Sequence, residues 1–485
     1  MRAAEPKEPE EEEDRYGRLR SVAIVVCFGI AAFFAWRAVR SSDSRPVGDL
    51  SEAAPSSSDA PLASPTPAAP RCVEITADAP FTIGEGAPKR PAPPVSSAIV
   101  AAPGASAVAP GVEPPEPEEE DLSPFAVQVG RGAVYKKGFA VGALRDAEGG
   151  TIATIVTLGF DGRDGKTIRL ARSRGDVEAP IVAASGDGIV VGLLEPNAGG
   201  RALKIARVVD DQVTWGAELA QGRDESLAFD VAVGVSRGIA VWDDVDKDRK
   251  RSSIQLATFD PGSPHAVTSA RPVTGPKVDA DSPRVVVRPG GFWLAYIARA
   301  ESANATKKPT APGQDEREDA PPGEAIGNAW VEIAPLDDNG SPTAIPRRAT
   351  PKNGNVLGFD LEIGDDGAAI LAWRDDDTPT GSSGGRVSAT LVRLGGIGEP
   401  RVLTDEEIGV GVPDLLPGWI AVSSVSGPKH LAQMNALGEM VGLLQPEPSI
   451  GIAEPLAATK DAILLARPAG KSIRLSVVRC APSSN

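Results

Sequence analysis

The chain has 485 residues, 66 acidic and 50 basic, with a formal net charge of −16. A chain this acidic is excluded from nucleic-acid binding through phosphates, which needs a basic surface. Its two histidines, His265 and His430, leave little material for histidine catalysis or a histidine-rich metal site, and nothing in the sequence calls for a cofactor.

Residues 1–20 form a charged tail with no apolar face. The uncharged run Ser21–Trp36 follows, and residues 21–39 are predicted to be one transmembrane signal-anchor helix. Sixteen residues span roughly 24 Å at the helical rise. That is short of a ~30 Å hydrocarbon core, but Arg20 and Arg37 can snorkel and Trp36 suits the interface. A cleaved signal peptide lacks an A-x-A site here, and a lipoprotein reading of Cys27 lacks small residues before it. Arg2, Lys7, Arg15, Arg18 and Arg20 precede the run against Arg37, Arg40 and Arg45 after it, which puts the N-terminus in the cytoplasm. The rest is then extracytoplasmic, as on a bacterial inner membrane facing the periplasm. Residues 40–71 are a Pro/Ala/Ser tether, 72–83 read as a strand, and 84–123 are a Pro/Glu-rich linker. The tether, the linker and a third such stretch, 300–326, are expected to be disordered.

From residue 124 to 481 the chain repeats. A turn residue precedes an apolar stretch at Gly138, Gly188, Gly238, Gly291, Gly367, Gly418 and Asp461, with spacings of 50, 50, 53, 76, 51 and 43. Subtracting the 27-residue stretch 300–326 from the outlier leaves 49. A short apolar run precedes each landmark, as in LAFDVAVGVSRG and LGFDLEIGDDG, and strand-like stretches follow. No unit shows a helical period, so each holds about four short strands.

Seven units of this size resemble a seven-bladed β-propeller, an all-β fold in which each sheet buries its faces against its neighbours around an axis. The signatures of tryptophan-aspartate repeats and of sialidase Asp boxes are absent. The last unit ends early, after IRLSVVRC and APSSN. The strand at Val73–Ala77 is expected to supply its missing outer strand, because closure from the N-terminus removes an exposed edge. Cys72 and Cys480 then lie on neighbouring strands, and outside the cytoplasm they pair as a disulfide. Two unrelated free thiols are the alternative.

GVSRG (234–238) matches a hydrolase nucleophile elbow with Ser236, but strand-like runs flank it, and the equivalent GDDG of another unit has no serine. Ser236 is therefore placed in a hairpin turn, and no catalytic residue is assigned. Asp244, Asp246 and Asp248 have the one-three-five spacing of a calcium loop, but Arg249 takes the glycine position and Gln255 the final glutamate, so a charged hairpin accounts for them better. The second-to-third-strand connections are long in units three, four and five. A partner-binding face is expected there, carrying Trp242, Asp243, Asp244, Trp373, Asp375, Asp376 and Asp377, with tolerated surface insertion as the alternative. These features describe a membrane-anchored binding or scaffolding propeller of the cell envelope, whose partner is another envelope protein or a glycan. The alternative is a propeller hydrolase or lyase acting on glycans.

Overall fold

The computed structural model describes residues 71–75, 81–83 and, apart from 300–327 and shorter interruptions, 127–481. All of them belong to the compact unit Pro65–Asn485. The charged tail, the expected membrane helix, residues 40–70 of the tether, the 84–123 linker and the 300–326 stretch lie outside the described residues. Among the described residues every regular element is a strand, and no helix is long and apolar enough to cross a membrane.

The strands form seven antiparallel sheets of four or five strands each, one per repeat unit. Blade 3 shows the pattern: an inner strand Phe229–Val233, a second Gly238–Asp246, a third Arg251–Asp260 and an outer Ser263–Val267. The inner strands of the other blades are Ile181–Ser185 (blade 2), Asp279–Arg288 (blade 4), Asn355–Ile363 (blade 5), Asp414–Leu416 (blade 6) and Glu454–Ala458 (blade 7). In blade 1 the inner strand is broken into Val127–Val129 and Ala133–Tyr135. Each inner strand touches that of the next blade, and blade 7 touches blade 1, so the ring closes.

The landmark residues open the second strands or sit one or two residues before them, as the repeat implies, but two glycines serve different ends. Gly418 sits at φ 80 in the turn before Trp419, a left-handed conformation that costs any other L-residue about 1 kcal/mol or more. Gly238 is there for space, since a Cβ would lie 2.2 Å from the Phe259 ring.

The core divides into seven buried clusters, one at each seam between neighbouring blades. A blade's sheet is thus covered on both faces, which explains the near-continuous apolar runs of second strands such as Ile239–Trp242 and Phe292–Ala298.

The last blade closes as expected. Arg71–Ile75 pairs antiparallel with Ser472–Ala481, and Cys72 lies opposite Cys480, to which it is disulfide-bonded across 408 residues of sequence. Phe81–Ile83 pairs further along the same strand. Ile75, Phe81 and Ile83 join Val127, Phe139 and Leu475 in the cluster between blades 7 and 1, so the N-terminal segment seals the ring's seam as well as a sheet edge.

The meander gives the ring two faces. Turns between first and second strands open on one, here the turn face; connections between second and third strands, and between blades, open on the other, the loop face. Arg71 lies opposite Ala481, beyond the Ala462–Arg479 pair that follows the first turn of blade 7, so the chain enters the domain at the turn face.

Candidate functional site: the central channel

Inner strands of adjacent blades belong to separate sheets, so their inward edges carry backbone N–H groups that need acceptors once buried. Two aspartates supply them. In blade 3, Asp230 Oδ1 accepts from its neighbour Val231 N–H at 2.9 Å and Oδ2 from Val285 N–H of blade 4 at 2.9 Å. In blade 5, Asp360 does the same with Leu361 N–H at 2.9 Å and Leu415 N–H of blade 6 at 2.8 Å. These are the aspartates of the paired stretches LAFDVAVG and LGFDLEIG, and their repetition now has a cause: each stitches its blade to the next.

Arg131 sits in the break of blade 1's inner strand and reaches across the channel to blade 5. Its guanidinium donates to Asp360 Oδ1 and to Leu361 O, both at 3.3 Å, and lies 3.6 Å from Glu362 Oε2. Burial pulls its pKa down, but the carboxylates of Asp360, Asp230, Glu362 and Asp414 outweigh that and raise it, so it stays charged. Arg284 of blade 4 approaches Asp360 Oδ1 through Nε at 3.7 Å. It follows a bulge in its strand where Ser282 takes φ 53 and donates its N–H to Asp243 Oδ2 at 3.1 Å.

Between blades 6 and 7, Lys429 Nζ donates to Asp414 Oδ2 and Glu454 Oε2, each at 2.7 Å. Burial works against this ammonium, but the two carboxylates raise its pKa overall. Burial also pushes Asp414 up to about 6 against the pull of Lys429, and pushes Glu362 up against that of Arg131. The waist thus holds five carboxylates (Asp230, Asp360, Glu362, Asp414, Glu454) and three cations (Arg131, Arg284, Lys429).

Arg131 partitions the channel. Its side chain lines a recess of about 600 Å³ at the loop face, another of about 300 Å³ at the turn face, and a side recess of about 200 Å³ toward blades 6 and 7. The loop-face recess combines Gln128, Glu178, Ser282 and Arg284 with apolar Leu357 and Val412. Only Nε of Arg284 approaches a carboxylate; its terminal nitrogens make no hydrogen bond among the described residues.

The residues expected on a partner-binding face fare differently. Trp242 and Trp373 are 1% exposed and pack in the seams between blades 2 and 3 and blades 4 and 5, in register with Phe229 and Phe359. That corrects the expectation for their side chains: the apolar surface is spent inside. Asp243 and Asp376 are buried as well, and Asp243 accepts from Ala228 N–H at 2.9 Å besides Ser282 N–H, tying the rims of blades 3 and 4. Asp375 is partly exposed opposite Arg386, and Asp244 lines a recess of about 560 Å³ beside Ser252, Gln255 and Thr274. Asp377 lies outside the described residues.

Of the calcium candidates, Asp244 and Asp246 fall on the second strand of blade 3, opposite Ser253 and Arg251, and Asp248 lies outside the described residues. Among the described residues no group of three or more His, Cys, Asp or Glu is gathered to hold a metal. Ser236 is exposed in the hairpin turn closed by Gly234 N–H and Arg237 O at 2.8 Å, with a strand following at once.

No protein-family model and no curated protein matches the chain. Among solved structures it is similar to the β-propeller domain of the Trilobed protease from Pyrococcus furiosus, at 10% identity, a TM-score of 0.44, and coverage of 74% of this chain and 96% of that one. It is similar to the acylaminoacyl peptidase of Pyrococcus horikoshii at 11% identity and a TM-score of 0.43, covering 74% of this chain but only 52% of that one, about half its length. It is similar also to the polysaccharide lyase Uly1, at 10% identity and a TM-score of 0.45, over 73% of this chain and 90% of that one. None of these likenesses reaches a TM-score of 0.5, and the propeller assignment rests on the sheet topology above.

Proposed function

We propose that the chain is a membrane-held, extracytoplasmic propeller that works as a binding or scaffolding module of the cell envelope, with its partner docking on the loop face. The observation that carries this reading is the use made of the channel carboxylates. Asp230 and Asp360 spend both oxygens on backbone N–H groups and Asp414 and Glu454 share Lys429, so these acids brace the ring, and the loop-face recess is the largest of the three that Arg131 lines. The long connections of blades 3, 4 and 5 leave from the same end. The disulfide supports a location outside the cytoplasm, since such bonds persist where the environment is oxidising. The apolar run Ser21–Trp36 supplies the membrane attachment, and the chain enters the propeller on the face away from the recess.

The test is affinity capture from envelope extracts with the full chain, beside a form whose connections 247–250, 301–327 and 377–384 are each replaced by a short Gly/Ser link. Shortening should abolish the captured partner without lowering the melting temperature. An unchanged set of partners sinks the loop-face proposal.

A second reading, a glycan hydrolase or lyase, is favoured by one observation. Glu362 and Asp414 are carboxyls pushed up by burial beside the channel, as a general acid requires. Turnover of an acidic or neutral glycan that disappears in Asp414→Asn at unchanged stability supports it.

A further inference from the structure

The turn-face recess, at the opposite end of the channel from the proposed docking face, has a distinct chemistry. All seven blades contribute to its wall, which is apolar apart from three charged residues: Val134, Ala183, Val233, Val287, Ile363 and Leu416 are among the residues around its 300 Å³. The charged groups that line it are Arg131, Asp230 and Glu362. Asp230 has a backbone donor on each of its oxygens. Glu362 does not. Its Oε1 accepts Ile363 N–H at 2.9 Å, but Oε2 meets only the Arg131 guanidinium at 3.6 Å, beyond hydrogen-bond distance, because that guanidinium gives its hydrogen bonds to Asp360 and Leu361 O. The residue is 8% exposed, and burial raises its pKa.

The waist as a whole has two more acidic than basic side chains, five against three. An under-partnered carboxylate below an apolar wall is the complement of a cation on an aliphatic stem. A bare metal ion would need more oxygen ligands than this recess offers, whereas an ammonium brings three donors of its own and its methylenes can lie against valine and isoleucine.

We propose that the turn-face mouth is a binding site for an alkylammonium group of lysine side-chain length, its ammonium hydrogen-bonded to Glu362 and its stem packed on the apolar wall. The site is independent of the loop-face reading, and its failure would leave that reading untouched.

The test is isothermal titration calorimetry of the full chain in detergent with three probes: Nα-acetyl-lysine methylamide, its neutral isostere Nα-acetyl-norleucine methylamide, and n-butylammonium chloride. Both ammonium probes should bind saturably, and the norleucine probe at least about tenfold more weakly, the loss expected for one charge-assisted hydrogen bond. Glu362→Gln, which removes the charge, and Ala183→Phe, which fills the mouth, should each weaken the lysine probe about tenfold. If circular dichroism shows that Glu362→Gln does not fold, Ala183→Phe decides alone. A stronger grip on the lysine probe assigns the site to a peptide lysine, and a stronger grip on n-butylammonium to a free amine; both support it. Equal binding of the lysine and norleucine probes, wild-type affinity in the folded variants, or no saturable binding below about 10 mM overturns the proposal.

Discussion

Arg131→Met keeps most of the side chain's volume at the waist and removes its charge. Lost with it are two 3.3 Å hydrogen bonds, to Asp360 and Leu361 O, and the 3.6 Å ion pair with Glu362. The side chains left behind are 13% and 11% exposed, so the change strips one partner from a largely buried network and costs about 3 kcal/mol. Over a propeller that runs from residue 124 to 481, the unfolding entropy is roughly 0.7 kcal/mol/K, and the melting temperature should fall by ~4 °C. The loss should depend on pH. Arg131 pulls the Glu362 pKa down against the larger upward push of burial. Its contribution is present while that carboxyl is charged and fades as pH falls through its pKa. Calorimetric melts at about pH 8 and about pH 5 should therefore show the larger deficit at the higher pH. Adding Glu362→Gln to Arg131→Met should recover part of the loss, because no unpaired carboxylate then remains at that position. A variant that melts with the wild type at both pH values, or whose deficit is the same at both, refutes the assignment of Arg131 as the channel's brace.

The other expectations concern the remaining ties. Asp230→Ala orphans two buried backbone donors and should cost about 3 kcal/mol in urea melts; Asp360→Ala, which also loses Arg131, should cost more, and a reversed order would contradict the stitching role. Asp414 has its folded pKa raised to about 6, so its protonated form favours the fold: that contribution is full below the ordinary carboxylate range and is lost as pH rises through about 6. Asp414→Asn should flatten the fall in melting temperature between about pH 4 and pH 7, and an unchanged slope would speak against it. Cys72→Ser opens a bond that spans 408 residues and should cost up to about 5 kcal/mol, with faster hydrogen exchange confined to residues 71–83 and the last strand of blade 7.

What was legible in the chain followed from local physics. The landmarks from Gly138 to Asp461 mark turns that recur because each blade needs the same reversal before its second strand, and a period near 50 follows from four short strands per sheet. The early end of the last unit exposed the role of the N-terminal strand, since an unpaired edge has to be covered. The waist was harder to read. Arg131 lies in an unremarkable VGRG, and its partner Asp360 is 229 residues away, so no spacing rule connects them. Asp230 and Asp360 did leave a trace, in the matched Phe-Asp pairs of LAFDVAVG and LGFDLEIG. Trp242 and Trp373 misled because a tryptophan beside acids at a strand end looks like a docking surface. Each instead stands in register with the phenylalanine of its Phe-Asp pair, Phe229 or Phe359, and fills a seam between blades.

The claim on which the rest depends is that residues 71–75 and 81–83 close the ring, and do so outside the cytoplasm. It is met most directly by mass mapping of protein taken from native membranes, with free thiols alkylated before digestion. A single linked peptide pair joining Cys72 to Cys480, resolved only on reduction, is the predicted result. Alkylation of both thiols in the folded protein would contradict the closure and the compartment together.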